Sequence, residues 1–411
     1  MLYDCTNGVN GLLKGKIERI ILFKGDIETT GYFSMQMEKT FQRKGYQTYF
    51  FDYQHVAESA SGLLRFIKRG KTAVVTFNYH GICGKNEVVY DEELGEYIWD
   101  TFDLPCINIV VDHPFYYHRF FEWLPNNYLH ISIDKNHERY MKEYFPQIKR
   151  GPFLPLAGTS LYADGNYPKI KDRKMDLVFV GNYEPPENFN IYIERIDDEY
   201  TAFYMGVINE LKEHPDRLLE DVMKKHILRE IPEATFEEIR ETMGNIIFLD
   251  MYIRFFFRGE VIRILAEAGL CVHVFGSGWE KLMCTKKENI IIGGSLDSLG
   301  CLKKIAEAKI SLNVMPWFKD GAHDRIFNTM LNGALCVTDS SIYLDTILQD
   351  GDNAALYSLD SLEKLPEIIK GLLDDPMRMQ RIADAGYQMA KNGHTWEHRA
   401  EEIMKILESI D

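Results

Sequence analysis

The chain has 411 residues, 45% hydrophobic and 27% charged, with a formal net charge of −15. That length exceeds what one hydrophobic core usually organises, so two domains are expected, while the acidic balance and the short, interrupted basic clusters at Lys68-Arg69-Lys71 and 169–174 argue against nucleic acid as a partner. The seven cysteines, Cys5, Cys83, Cys106, Cys271, Cys284, Cys301 and Cys336, are odd in number and widely spread, with no Cys-x2-Cys pair to hold zinc or act as a redox couple. They read as reduced thiols packed in a core, as in "GLCVHVFG" and "GALCVTD".

The opening "MLYDCTNGVNGLLKGK" shows no basic leader followed by an apolar run, and no window reaches the ~18 apolar residues of a membrane span, so a cytoplasmic location is expected. From Ile17 the pattern becomes a short β-rich run, a polar break, then an amphipathic helix, the rhythm of a parallel α/β sheet. "ERIILFKGD" is followed by a helix over about 32–44 that Gly45 ends as a C-cap. The strands "YQTYFFDY", "KTAVVTFN", "CINIVVDH", "YLHISID" and "RGPFLPLAG" follow, making six for a first doubly wound domain over 1–158. Residues 159–174, polar and aperiodic with Gly and Pro, read as a linker. A second domain over 175–395 begins at "MDLVFVGNYEPP", turns helical and charged over about 191–265 as an insertion, and resumes with "CVHVFGSGW", "NIIIGG", "ISLNVMP" and "LCVTD". A terminal helix is predicted over 396–411. The whole reads as two doubly wound, Rossmann-like α/β domains facing a cleft, where the carboxyl ends of open sheets bind ligands.

The strand ends of the second domain supply the first candidates. Gly181 and Asn182 follow "VFVG", and Gly276, Ser277 and Trp279 follow "VHVFG". Glycine there admits backbone N–H groups close to an anion or base, and Trp279 could cover a planar ring, the plainer alternative being a tight turn over a core Trp. "ISLNVMP" brings Asn313 and Met315 to the rim. In "FKDGAHDRIFNTMLNGALCVTD" the apolar residues Ile326, Phe327, Met330, Leu331 and Ala334 follow helical spacing, which sets His323, Asp324 and Arg325 at a helix N-terminus. Such a terminus favours phosphate, and Arg325 adds a forked donor set suited to a diphosphate. Asp320 and Asp324 suit sugar hydroxyls, and Asn328 a ribose diol. The alternative is an N-cap at Asp324 with Arg325 paired to a surface carboxylate.

"FVGNYEP", "VFGSGW", "AEAKISLNVMPWFKDGAHDRIFNTMLNGALCVTD", "LLDDPMRMQRIADAG" and "HTWEHRAEEI", in that order, span most of 175–411 and resemble the GT-B-fold, nucleotide-sugar-dependent glycosyltransferases, in particular the CgeB-type branch. "VVDHP" and the Asn-bearing strand ends of the first half look like the acceptor domain of that branch. The resemblance implies transfer of a sugar, a hexose by expectation and with retention, from a UDP- or GDP-sugar to a hydroxyl of a protein, glycan or surface-polymer precursor, without a further cofactor. The larger retaining superfamily carries Glu-x7-Glu where this chain has Asp320 and Asn328, and Arg325 matches the branch's arginine before Phe.

On the facing rim Asp26, Asn78 and Asp134 are candidate acceptor-side groups. Asp112, His113 and His80 are candidates to take the acceptor proton in an inverting reaction; in a retaining one the leaving phosphate serves as base and they only orient substrates. No Asp-x-Asp stands at a strand end, so no metal is expected. A GT-B protein kept as a binding or scaffold subunit, a nucleotide-sugar epimerase and a phosphorylase are alternatives, though the pyridoxal lysine a glycogen-type phosphorylase needs leaves no specific signal, and the lack of Gly-x-Gly-x-x-Gly after the first strand disfavours an oxidoreductase. The helices of the insertion could serve a homodimer or an acceptor protein.

Overall fold

The computed structural model describes residues 16–85, 87–162 and 165–409, so Cys5 and most of the N-terminal segment read above for a leader lie outside the described residues. The first sheet contains β1 (Arg19–Lys24), β2 (Gln47–Asp52) and β3 (Thr72–Phe77) and, after a small hairpin of β4 (Tyr90–Asp91) and β5 (Glu96–Tyr97), β6 (Cys106–Val110) and β7 (Tyr128–Ser132). Its order is β2-β1-β3-β6-β7 with every pairing parallel. β3 and β6 are buried at every position, which their unbroken apolar runs demanded.

The expected sixth strand, 150–158, does not form. Pro152 and Pro155 have no N–H to offer a ladder, and the segment reaches β7 only through Gly151 N–H to His130 O at 2.8 Å and Leu154 N–H to Ser132 O at 3.0 Å. The helix after β1, Glu28–Arg43, ends as the sequence indicated, with Gly45 at φ +93° just beyond it.

The second sheet contains β8 (Met175–Val180), β9 (Val272–Phe275), β10 (Ile290–Ile292), β11 (Ala308–Asn313), β12 (Leu335–Thr338) and β13 (Ala355–Leu356) in the order β10-β9-β8-β11-β12-β13, again all parallel. This is the doubly wound order whose direction reverses between its first and fourth strands, here β8 and β11, and ligands bind outside that reversal. β13 has two residues and left no periodic trace in the sequence.

Five helices separate β8 from β9: Asn190–Ile193, Asp198–Glu213, Leu219–Glu230, Phe236–Met243 and Ile247–Glu267. The insertion leans on the first domain, with Arg139 Nη2 at 2.9 Å from both Asp221 oxygens and Phe236 stacked on Tyr144 at 5.3 Å. The terminal helix, Trp396–Ser409, crosses back as well, and Trp396 packs 4.5 Å from Phe33 of the helix after β1. Two facing doubly wound domains are the architecture expected, and the insertion and tail cross-brace them. The six described cysteines are unbridged, and Cys271, expected in the core, is exposed at the mouth of β9. No described helix is long and apolar enough to cross a membrane.

Burial pushes the imidazoles of His113, His130 and His394 down to about 3 and that of His137 to about 4, against an ordinary 6.5. The unfolded chain takes up protons on these rings as pH falls below 6.5, while the folded chain does not until about 3 to 4. Their contribution to stability is therefore intact above pH 6.5 and lost as pH falls through that window. The urea midpoint is expected to be clearly lower at pH 5 than at pH 7.5; equal midpoints would show that these rings are solvated.

Candidate functional site

The carboxyl ends of both sheets open onto one interdomain cleft of about 340 Å³. On the second domain its floor is the turn after β8 and the turn after β9. Gly276 has φ +141°, and a Cβ there would stand 2.3 Å from Gly181 O; Gly181, at φ +153°, would carry a Cβ 3.2 Å from Arg325 Nη2. Glycine at both points lets the two turns touch and leaves the guanidinium of Arg325 reachable from the cleft.

Arg325 is the second residue of the helix Asp324–Leu331 and is 5% exposed. Its Nη1 donates to Asn313 Oδ1 at 2.6 Å, and its guanidinium lies 4.9 Å from the Phe179 ring. A second guanidinium, that of Arg258, shares this ring at 6.0 Å and donates from Nη1 to Asn182 O at 2.9 Å. A third, Arg254, sits one turn earlier on the same helix, Ile247–Glu267, and donates from Nη2 to Asp250 Oδ2 at 2.7 Å. Burial, followed by the neighbouring charges of Arg325 and Arg254, pushes the pKa of Arg258 well below its ordinary value. Neither Arg325 nor Arg258 is hydrogen-bonded to a carboxylate among the described residues; Asp324 and Asp339 act on Arg325, and Asp250 on Arg258, only through space, each Nη2 forms no hydrogen bond there, and Arg258 Nε is buried without a partner. Two cations side by side under low dielectric, neither hydrogen-bonded to a carboxylate, are costly to hold, and a dianion between them lowers the cost.

His323, expected among the donor-binding residues, lies at the helix start and lines the cleft. Its Nδ1 is 2.8 Å from Asp324 Oδ1 and 3.2 Å from Arg325 N; the shorter contact calls for the proton on Nδ1. Burial, then Arg325, pushes this imidazole down to about 4, so a neutral ring satisfies Asp324 without adding charge. The residue at the N-cap position is thus His323, and Asp324 is the first of the helix rather than its cap.

The first domain supplies the opposite wall. Asp112, just past β6, accepts at Oδ2 from Asn78 Nδ2 at 3.0 Å and from the Tyr117 hydroxyl at 3.1 Å. Asn78, at φ +46°, also accepts from Val111 N–H at 2.9 Å, so it stands behind Asp112 as its brace. At the rim Glu28 reaches across the cleft to Ser298, accepting from its N–H at 3.1 Å and its hydroxyl at 2.7 Å.

Gly181, Asn182, Gly276, His323, Asp324, Arg325, Asn328 and Asp112 therefore meet at one cleft. Other candidates do not reach it. Trp279 is 1% exposed, stacked on Tyr183 at 5.2 Å with Nε1 donating to Gly181 O, so it props the turn from below and covers no ring. Ser277 is exposed, its N–H spent on Asn182 Oδ1, and Asn313 and Met315 are buried behind the cleft wall. Asp320 faces the first domain: its N–H donates to Asp134 Oδ2 at 2.9 Å and its Oδ1 lies 3.6 Å from Lys135 Nζ. Asp134 is buried and caps the helix Lys135–Tyr144 through Asn136 N–H at 2.7 Å. His113 turns to Glu220 of the insertion at 3.6 Å, and His80 sits between the Thr30 hydroxyl at 3.2 Å and the exposed Asp26 at 3.4 Å. Asn328 lines the cleft, but its Oδ1 accepts from Thr159 N–H at 2.8 Å and its Nδ2 donates to Asp324 at 2.9 Å, so the amide joins helix to linker and is not free for a diol.

Arg254 and Arg258 escaped the sequence reading, because their helix looked like part of a charged surface insertion. The available signal was "DMYIRFFFRGE", where Asp250, Arg254 and Arg258 recur every fourth residue amid aromatics that have to be buried. Among the described residues no group of three or more His, Cys, Asp or Glu is placed to share a metal ion.

Residues 258–405 match a family described as glycosyl transferase-like, a segment that begins at Arg258 and includes Arg325. No curated protein sequence matches the chain. In structure it is similar to sucrose-phosphate synthase from Thermosynechococcus elongatus, with TM-score 0.47, 10% identity and coverage of 96% of this chain and 99% of that one. It is also similar to HepE of Anabaena in complex with UDP-glucose, with TM-score 0.49, 11% identity and coverage of 95% and 99%. A glycosyltransferase from Rickettsia africae gives TM-score 0.48, 9% identity and coverage of 96% and 98%. Likeness of this degree carries no weight for ligand or reaction, which rest on the side chains of the cleft.

Gly276→Ala is expected to lower stability by roughly 2 kcal/mol or more, since both the backbone angle and the contact with Gly181 O oppose a side chain. Gly269→Ala, at φ +85° in open space, is the control and is expected to lose only about 1 kcal/mol. Equal losses in thermal unfolding would mean that the two turns are not in contact.

Proposed function

We propose that this protein is a glycosyltransferase that moves a sugar from a UDP- or GDP-sugar to an acceptor hydroxyl on a protein, a glycan or a surface-polymer precursor. The observation that carries the reading is the pair of buried guanidiniums of Arg258 and Arg325, neither hydrogen-bonded to a carboxylate, at the reversal point of the second sheet, facing Asp112 across the cleft. The matched glycosyl transferase-like segment, which contains both arginines, supports it independently.

In this reading the diphosphate lies between the two guanidiniums, whose free Nη2 groups donate to its oxygens. They stabilise the charge that grows on the leaving phosphate as the bond from the anomeric carbon to its oxygen breaks with the electron pair going to the phosphate. Of the three residues considered as a base, only Asp112 faces the cleft, and its Oδ2 is already engaged by Asn78 and Tyr117. We therefore assign Asp112 to orienting the acceptor through Oδ1. The acceptor oxygen attacks from the face the phosphate leaves, and the departing phosphate takes its proton, which retains configuration.

Calorimetry with UDP, GDP and their hexose conjugates is the direct test. Binding of one series is expected, with Arg258→Ala and Arg325→Ala each weakening it by about a hundredfold, near 3 kcal/mol; binding to none would sink the proposal. Proton NMR of the product should show the anomeric configuration of the donor, and an inverted product would return Asp112 to the role of base. Because two side-chain cations match the diphosphate charge, turnover is expected to be insensitive to EDTA, and a loss restored by manganese would show a metal requirement. A second reading, a nucleotide-binding scaffold without catalysis, draws on the structural engagement of Asp320 and Asn328; it predicts binding with neither donor hydrolysis nor transfer.

A further inference from the structure

The three cleft guanidiniums are not equivalent. Phe179 lies near both Arg325 and Arg258, at 4.9 and 6.0 Å, and Trp317 near both Arg258 and Arg254, at 5.0 and 4.2 Å. The shared rings set the cations in the order Arg325, Arg258, Arg254. The first two are anchored by neutral oxygens, those of the Asn313 amide and the Asn182 peptide, so their charge is left for a ligand. Arg254 is anchored by a charged one. Asp250, 6% exposed, accepts from Arg254 Nη2 at 2.7 Å and from the Tyr116 hydroxyl at 2.5 Å, so the charge of Arg254 is compensated inside the protein.

Arg254 still lines the cleft, its Nη1 forms no hydrogen bond among the described residues, and its Nε is buried without a partner. Asp112 lies near enough for its negative charge to act on Arg254, and Tyr117, which holds Asp112, is the neighbour of Tyr116, which holds Asp250. At this end the cleft thus offers one forked donor without excess charge, the indole of Trp317, and a carboxylate. Those are the contacts of a neutral polyol: hydroxyls to accept from Arg254, a C–H face to lie on an aromatic ring, and no second anion beside Asp112, which orients the acceptor.

We propose that Arg254 is the specificity-determining residue for the transferred sugar, binding a hydroxyl of a neutral hexose through Nη1, with Asp250 positioning and neutralising it so that hexosyl donors are selected over hexuronosyl ones. The inference rests on the sugar-transfer reading above. A carboxylate on the sugar would meet Asp112 and the already paired Arg254, while Arg258 and Arg325 are occupied by the diphosphate; discrimination here comes from repulsion as much as from fit.

The test measures kcat/KM for donor turnover with UDP-glucose against UDP-glucuronate, and with GDP-mannose against GDP-mannuronate, after calorimetry with UDP and GDP alone. The wild-type enzyme is expected to favour the hexosyl member of the accepted pair by about tenfold or more. Asp250→Asn keeps an oxygen for Arg254 and Tyr116 but removes the charge, and is expected to move the ratio about tenfold toward the hexuronosyl donor. The ratio is decisive because loosened packing slows both donors alike. Should that variant fail to fold, Arg254→Lys keeps a cation for Asp250 but removes the Nη1 donor, and is expected to lower kcat/KM for the hexosyl donor more than for the hexuronosyl one. A nucleotide that binds, with a wild-type preference for hexuronosyl donors or a ratio that Asp250→Asn leaves unmoved, overturns the assignment of Arg254. Failure of both nucleotides to bind sinks the sugar-transfer reading itself, and this inference with it.

Discussion

The structure is organised around the cost of keeping Arg258 and Arg325 charged, buried and next to each other. Like charges in a low-dielectric site repel, and each guanidinium sheds hydration on entering it. What holds them is a set of neutral groups: the Asn313 amide, a peptide oxygen at Asn182 and the face of Phe179. Each comes from the end of a strand or the turn just beyond one, which is where a doubly wound sheet is rigid and its next connection free to vary. The glycines at 181 and 276 serve the same constraint, because a side chain at 181 would press on Arg325 and one at 276 would drive into the backbone of Gly181 and Asn182.

The loop from Met315 to His323 has a different task from the one its charges advertised. Lys319 donates to Pro215 O of the insertion, Asp320 N–H binds Asp134 of the first domain, and the Ser341 hydroxyl donates to Gly321 O. Its charged residues knit three parts of the molecule together directly before the helix that carries Arg325. Its polarity is spent on geometry: the rings of Trp317 and Phe318 line the cleft, but of its charged residues only those from His323 onward are left for it.

That division explains what could be read from the chain. Strands buried on both faces, such as β3 and β6, announce themselves through unbroken apolar runs, and the end of the first helix through Gly45. The order of residues along the chain also located Arg325, since helical spacing begins at its neighbours. What stayed hidden was everything decided by a distant partner. Asp320 and Asn328 hold the spacing of a ligand-binding pair, yet whether a side chain faces a cleft or a neighbouring domain depends on Asp134, Lys135 and Thr159, which lie far away in sequence. Trp279 reads equally well as a ring cover and as a core residue until Tyr183 is seen beneath it. Pro152 and Pro155 could have warned against a sixth strand, because their missing N–H groups are visible in the sequence itself.

The return of the last helix to the first domain bears on how the chain is made. Trp396 packs against Phe33 and Phe77, both set in the earliest third of the chain, and Arg399 donates to Pro155 O and Leu156 O at the end of that domain. During synthesis the first domain must therefore wait, with this apolar strip uncovered, until some 240 further residues have been added. A ribosome-bound intermediate would offer that strip to a chaperone until the helix that carries Trp396 arrives to cover it.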